Sequence, residues 1–130
     1  MKTIARFIIV VAISIVFSTI AFGQNTRITF SPGATSKVVS GTLSGYKSQR
    51  KFVIRVKKGQ RMTTEDVGDH SITIGIDAPK GSTYEQDMAA DCHSHNDVDP
   101  TAAGDYVITV TECQKADAFK GTFKFKVTVN

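Results

Sequence analysis

The chain has no low-complexity tract, no internal repeat and no Asn-X-Ser/Thr glycosylation acceptor. Without a repeat or a biased linker, nothing divides it into an array or a string of modules. Familiar catalytic motifs are missing as well. There is no serine nucleophile elbow, no Walker phosphate loop and no Gly-x-Gly-x-x-Gly turn. Nothing therefore specifies a hydrolase triad or a nucleotide site. Its hydroxyls and three histidines follow no triad spacing. The expectation is a protein that is not an enzyme and needs no cofactor.

What is present begins with the N-terminus. Lys2 and Arg6 form a short positive region, and Phe7 to Ile20 is apolar apart from serine and threonine. Ala21-Phe22-Gly23 then puts small residues where signal peptidase reads. A membrane-spanning helix needs about 20 apolar residues and flanking anchors, whereas this run is shorter and passes straight into polar sequence. Residues 1–23 read as a signal peptide, and 24–130 as one mature domain, periplasmic or secreted, with no stable membrane insertion after cleavage. An uncleaved anchor is the alternative.

Cleavage removes Lys2 and Arg6 but no acid, lowering the formal net charge from +4 to +2. A charge that small, without a clustered basic footprint, argues against a nucleic-acid partner. Cations from Lys37 to Arg61 precede acids concentrated from Glu65 to Asp117. This asymmetry suits either a polarised surface that steers a charged partner or ordinary solvation.

Period-two alternation runs through the mature chain, each instance bounded by turn residues. Ile28 and Phe30 open it, stopped by Ser31-Pro32-Gly33; Lys37 to Leu43 follows, ended by Ser44-Gly45. Phe52, Ile54 and Val56 share one face, as do Ile72, Ile74 and Ile76, Tyr106, Ile108 and Val110, and Phe123, Phe125, Val127 and Val129. Gln60 to Asp66 is polar and reads as an edge strand, where charge discourages unwanted pairing. Only Gln86 to Ala90 could be helical. The pattern predicts an all-β protein, an antiparallel β-sandwich (jelly-roll-like) of seven or eight strands.

Two features carry candidate chemistry. Cys92 and Cys113 are an even pair in an exported chain and are expected to form a disulfide. A reactive thiol is disfavoured by Asp91, Glu112 and Asp117 nearby, which oppose a thiolate. The run Asp91 to Asp99, if extended, projects Asp91, His93, His95, Asp97 and Asp99 on one face. His93, His95 and Asp97 would then form a weak zinc or copper site, and the other reading is a polar surface loop. His93-Ser-His95-Asn-Asp97 resembles the first ligand cluster of metallo-β-lactamases. It departs at Val98, where a histidine should follow, and the chain is too short for that αββα fold.

Three segments in order carry a broader resemblance: Ile28 to Tyr46, Phe52 to Gln60 with its Gly-Gln after a strand, and Ala103 to Val110 with Gly-x-Tyr opening another. Together they resemble the bacterial pre-peptidase C-terminal type of β-sandwich and, within it, the periplasmic inhibitors of goose-type lysozyme. The resemblance spans nearly all the mature chain. It implies a non-enzymatic binding module whose partner is a protein such as a lysozyme, or a cell-envelope polymer, with a structural or accessory envelope domain as the alternative. In the inhibitors a tyrosine after a turn, and arginines in the loop after the Gly-x-Tyr strand, reach the lysozyme cleft. Tyr46 matches the tyrosine. The later loop, Glu112 to Lys120, offers Lys115 and Lys120 instead of arginine, and lysine lacks the bidentate geometry of arginine.

Overall fold

A computed structural model describes residues 25–86 and 92–130. The signal-peptide reading of 1–23 and, Gln86 apart, the helical reading of 86–90 lie outside the described residues, as does Asp91.

The domain is a sandwich of two four-stranded sheets. One sheet has the order β1 (Thr26–Arg27), β3 (Gln49–Val56), β7 (Gly104–Glu112), β5 (Ile72–Asp77). The other has the order β2 (Ser36–Ser44), β8 (Lys120–Val129), β4 (Met62–Asp66), β6 (His95–Val98). All pairs are antiparallel except β1 with β3. The described residues contain no helix.

The alternation does what its period requires. Phe52, Ile54, Ile74, Tyr106, Ile108 and Val110 on one sheet face Leu43, Met62, Phe123, Phe125 and Val127 on the other, each at most 3 % exposed. Phe52 packs edge-on against Phe123 and Phe125, with ring centres 6.2 and 5.4 Å away, the arrangement that aromatic quadrupoles favour. Burying each such ring contributes roughly 1.5–3 kcal/mol. Gly41 stands where β2 crosses the Phe123 ring; a Cβ there would lie 2.7 Å from Phe123 Cζ.

The Gly-x-Tyr motif has a structural reason. Gly104 has φ of +140°, and a Cβ on it would meet Pro79 at 2.9 Å. Two residues on, the buried Tyr106 hydroxyl accepts the Ala102 N–H at 3.0 Å, tying the strand to the loop before it as a tyrosine corner does.

Two expectations need correction. Ile28 and Phe30 are not strand residues. The first strand is only Thr26–Arg27, because the chain leaves β3 after Ile28 N–H bonds to the Val53 carbonyl and crosses to the other sheet. Nor is β4 an edge. It lies between β8 and β6, with Met62 and Thr64 buried and Glu65 facing Lys126 and His95 across the ladders. Its polar outer face signalled a solvated surface rather than an unpaired edge.

Candidate functional site

The end of the sandwich reached by β2 gathers three connections. After β2, Gly45 turns the chain and its N–H donates to the Phe119 carbonyl at 3.0 Å. Tyr46, 41 % exposed, donates its hydroxyl to the Ala116 carbonyl at 2.5 Å. The β2–β3 and β7–β8 connections are thus tied at two points although about 70 residues apart in sequence. On their far side His70, from the β4–β5 connection, stacks on Phe119 with rings 4.0 Å apart and 5° from parallel.

The loop after β7 is anchored from below as well. Cys113, at its start, is bonded to Cys92 with Cα atoms 5.3 Å apart, as the cysteine pairing predicted. Glu112, 2 % exposed, accepts the Phe119 N–H on Oε1 at 2.6 Å, while no hydrogen bond to Oε2 occurs among the described residues. The loop is therefore closed by its disulfide and by a buried glutamate side chain, and Lys115 within it and Lys120 at its end are exposed, as is Tyr46 on the neighbouring β2–β3 connection. The sequence reading used Glu112 only as a charge opposing a thiolate and as the start of the loop, although the alternation Tyr106, Ile108, Val110, Glu112 points it inward.

The structure puts His95 and Asp97 on one face of β6, as predicted, but does not assemble the three sequence-predicted metal ligands as a set. His95 and Asp97 are exposed on β6. His93 precedes that strand, and its carbonyl accepts the Ile74 N–H at 2.7 Å, on the edge of the opposite sheet. Arg61 clasps both Asp97 oxygens, at 2.9 and 2.5 Å, and these bonds hold the Asp97 carboxyl below its usual range. Among the described residues no group of three His, Cys, Asp or Glu is placed to hold a metal ion.

Between these segments lies a polar network absent from the sequence reading. Asn96, 5 % exposed, donates to the Ile74 carbonyl (2.7 Å) and the Thr64 hydroxyl (3.2 Å). Its Oδ1 accepts from Gln86 (3.1 Å) and the Tyr84 hydroxyl (3.3 Å). Gln86 Oε1 in turn accepts the Ile76 N–H at 2.8 Å. The outer edge of β5 is thereby covered by side chains and by the His93 carbonyl, which removes a free sheet edge.

No protein-family model and no curated protein matches the sequence. Solved structures do resemble the fold. One is PliG of Aeromonas hydrophila, a periplasmic lysozyme inhibitor of g-type lysozyme. It superposes with a TM-score of 0.63 at 21 % identity, over 82 % of this chain and 96 % of that one. PliG of Salmonella Typhimurium gives 0.60 at 18 % identity over 84 % of this chain and all of its own, and a mutant of the Escherichia coli protein gives 0.59 at 18 % with the same coverage. The resemblance read from three segments of sequence holds for the fold.

Proposed function

We propose that this chain is an exported, non-enzymatic binding module that inhibits a goose-type lysozyme through the end of the sandwich carrying Tyr46, Lys115 and Lys120. The observation that carries the reading is the bond from the Tyr46 hydroxyl to the Ala116 carbonyl. It joins the tyrosine and the lysine-bearing loop into one surface. A tyrosine supplies large contact area at small entropic cost. Two lysines beside it would steer the module towards an acidic cleft without fixing bidentate geometry, so binding is salt-sensitive. The fold shared with three periplasmic inhibitors supports the reading, as does the disulfide, which suits an oxidising compartment.

An activity assay with a goose-type lysozyme tests it. The wild type inhibits, and Tyr46→Ala weakens inhibition by roughly tenfold or more, the loss expected for a central aromatic anchor, with little change in melting temperature. Tyr46→Phe separates the two roles of the side chain: it keeps the ring and loses the tie to Ala116. No inhibition at low salt and at protein concentrations far above micromolar would overturn the reading.

A further inference from the structure

Glu112 is a polar residue in an apolar row. Tyr106, Ile108 and Val110 are fully buried on the inner face of β7, and Glu112 continues their alternation at 2 % exposed. Its Oε1 accepts the Phe119 N–H at 2.6 Å, and its Oε2 is buried with no hydrogen-bond partner among the described residues. The ion pairs among those residues join Asp105 and Asp97 to arginines and leave Glu112 out. Burying a carboxyl with one oxygen unpaired costs free energy that an apolar side chain of similar volume would not. Stability of the sandwich alone therefore gives no reason for a glutamate here.

What Glu112 holds is a junction. Phe119 lies seven residues on, at the far end of the loop that carries the chain from β7 in one sheet to β8 in the other. Its N–H goes to Glu112, its carbonyl accepts the Gly45 N–H at 3.0 Å, and its ring stacks on His70. Phe119 thus meets the β7 strand, the β2–β3 connection and the β4–β5 connection at once. Tyr46, next after Gly45, bonds back to the Ala116 carbonyl in the middle of the same loop. At its near end the loop is fixed covalently, through Cys113 and its bond to Cys92. At the far end Glu112 supplies the corresponding tie from inside the core. Without that acceptor the Phe119 N–H can be satisfied only by moving towards water.

We propose that Glu112 is the positioning residue of the lysozyme-binding surface: its buried carboxyl fixes Phe119, and through Phe119 it presets the relative places of Tyr46, Lys115 and Lys120. The inference rests on the inhibition proposed above. A loop already held in its binding shape loses less conformational freedom on association, so the effect of Glu112 is read in affinity. A group kept for function at the expense of stability has a signature: an apolar replacement leaves the fold as stable as before, or more so, while function falls. A core residue that serves stability alone gives the reverse.

Three variants test it. Glu112→Leu fills a similar volume without an acceptor, Glu112→Gln keeps an acceptor for the Phe119 N–H, and Ile108→Val loosens the core while leaving the clasp intact. Each is followed by thermal melting, by amide hydrogen exchange and by inhibition of a goose-type lysozyme. Glu112→Leu should melt no more than about 5 °C below the wild type. Its Phe119 and Gly45 amides should exchange about tenfold faster or more, and it should inhibit roughly tenfold more weakly. Glu112→Gln should recover exchange and inhibition to within about threefold of the wild type. Ile108→Val should melt lower and inhibit as the wild type does. The proposal is overturned if Glu112→Leu keeps its Phe119 amide protected, if it inhibits like the wild type although the loop has loosened, or if Glu112→Gln fails to rescue. It is also overturned if Glu112→Leu does not fold or melts lower than that limit, which would make Glu112 a residue of stability. A wild type that does not inhibit refutes the reading of the surface instead. Exchange of Phe119 and Gly45 in the two Glu112 variants then decides by itself whether Glu112 sets the loop.

Discussion

Asn96 joins the two sheets, and replacing it tests whether the polar network stabilises the sandwich or merely occupies a gap. Asn96→Ala removes four hydrogen bonds, two donated and two accepted. The shortest, 2.7 Å to the Ile74 carbonyl, matters most, because Ile74 is fully buried and water cannot readily replace the donor. Leaving that carbonyl unpaired costs about 1–3 kcal/mol, and each remaining bond about 0.5–1.5 kcal/mol before relaxation. Tyr84 and Gln86 stand nearer to solvent and can rehydrate, so the sum is closer to 3 kcal/mol than to the arithmetic maximum. Against a typical domain stability of about 5–15 kcal/mol, the melting temperature should fall by more than about 10 °C. Asn96→Asp should be worse at neutral pH. A carboxylate accepts from Tyr84 and Gln86 but places an oxygen, not a donor, against the Ile74 carbonyl. Urea unfolding of the three proteins provides the free energies. Hydrogen exchange of the Ile76 amide, which is held by Gln86, reports local loosening of the β5 edge. An alanine variant within about 1 kcal/mol of wild type, or an aspartate variant no worse than alanine, would refute the reasoning.

Three further outcomes are expected. Gly41→Ala pushes a Cβ to within 2.7 Å of Phe123 Cζ; overpacking of about 1–3 kcal/mol exceeds the 0.4–1 kcal/mol gained by stiffening the unfolded chain. The variant should melt lower, with Phe123→Leu in the same chain restoring part of the loss, and a gain in stability would sink the packing argument. Reduction of Cys92–Cys113, which closes a 21-residue separation, should lower stability by about 3 kcal/mol; equal melts with and without reductant would contradict it. The Arg61 bonds depress the Asp97 carboxyl below its ordinary 3.8, so their contribution is present above that pH and is lost as pH falls through it and below. With both side chains well exposed, solvent screening keeps the effect small. Asp97→Asn should make the acid limb of the stability profile shallower, and an unchanged limb would show that the pair contributes nothing.

Sequence alone determined which residues face inward. Successive strand side chains point to opposite faces, so Phe123, Phe125 and Val127 declare their face without reference to any neighbour. Cys92 and Cys113, the only two cysteines in a chain whose start reads as an export signal, were legible for a similar reason: two thiols leave one intramolecular pairing. Tyr46 could be placed after a turn, but its tie to Ala116, about 70 residues on, could not. The tertiary structure decided everything that depends on which strand lies beside which. It set β4 between β8 and β6 although its sequence reads as an edge, and it parted His93 from His95 by assigning their neighbours to different sheets. It also turned Asn96, unremarked among histidines and aspartates, into the link between the layers. Alternation records a side chain's direction, which is a local property of the backbone. Strand order and buried polar partners arise from contacts between distant segments, and their positions are set only when the two sheets close over a common core.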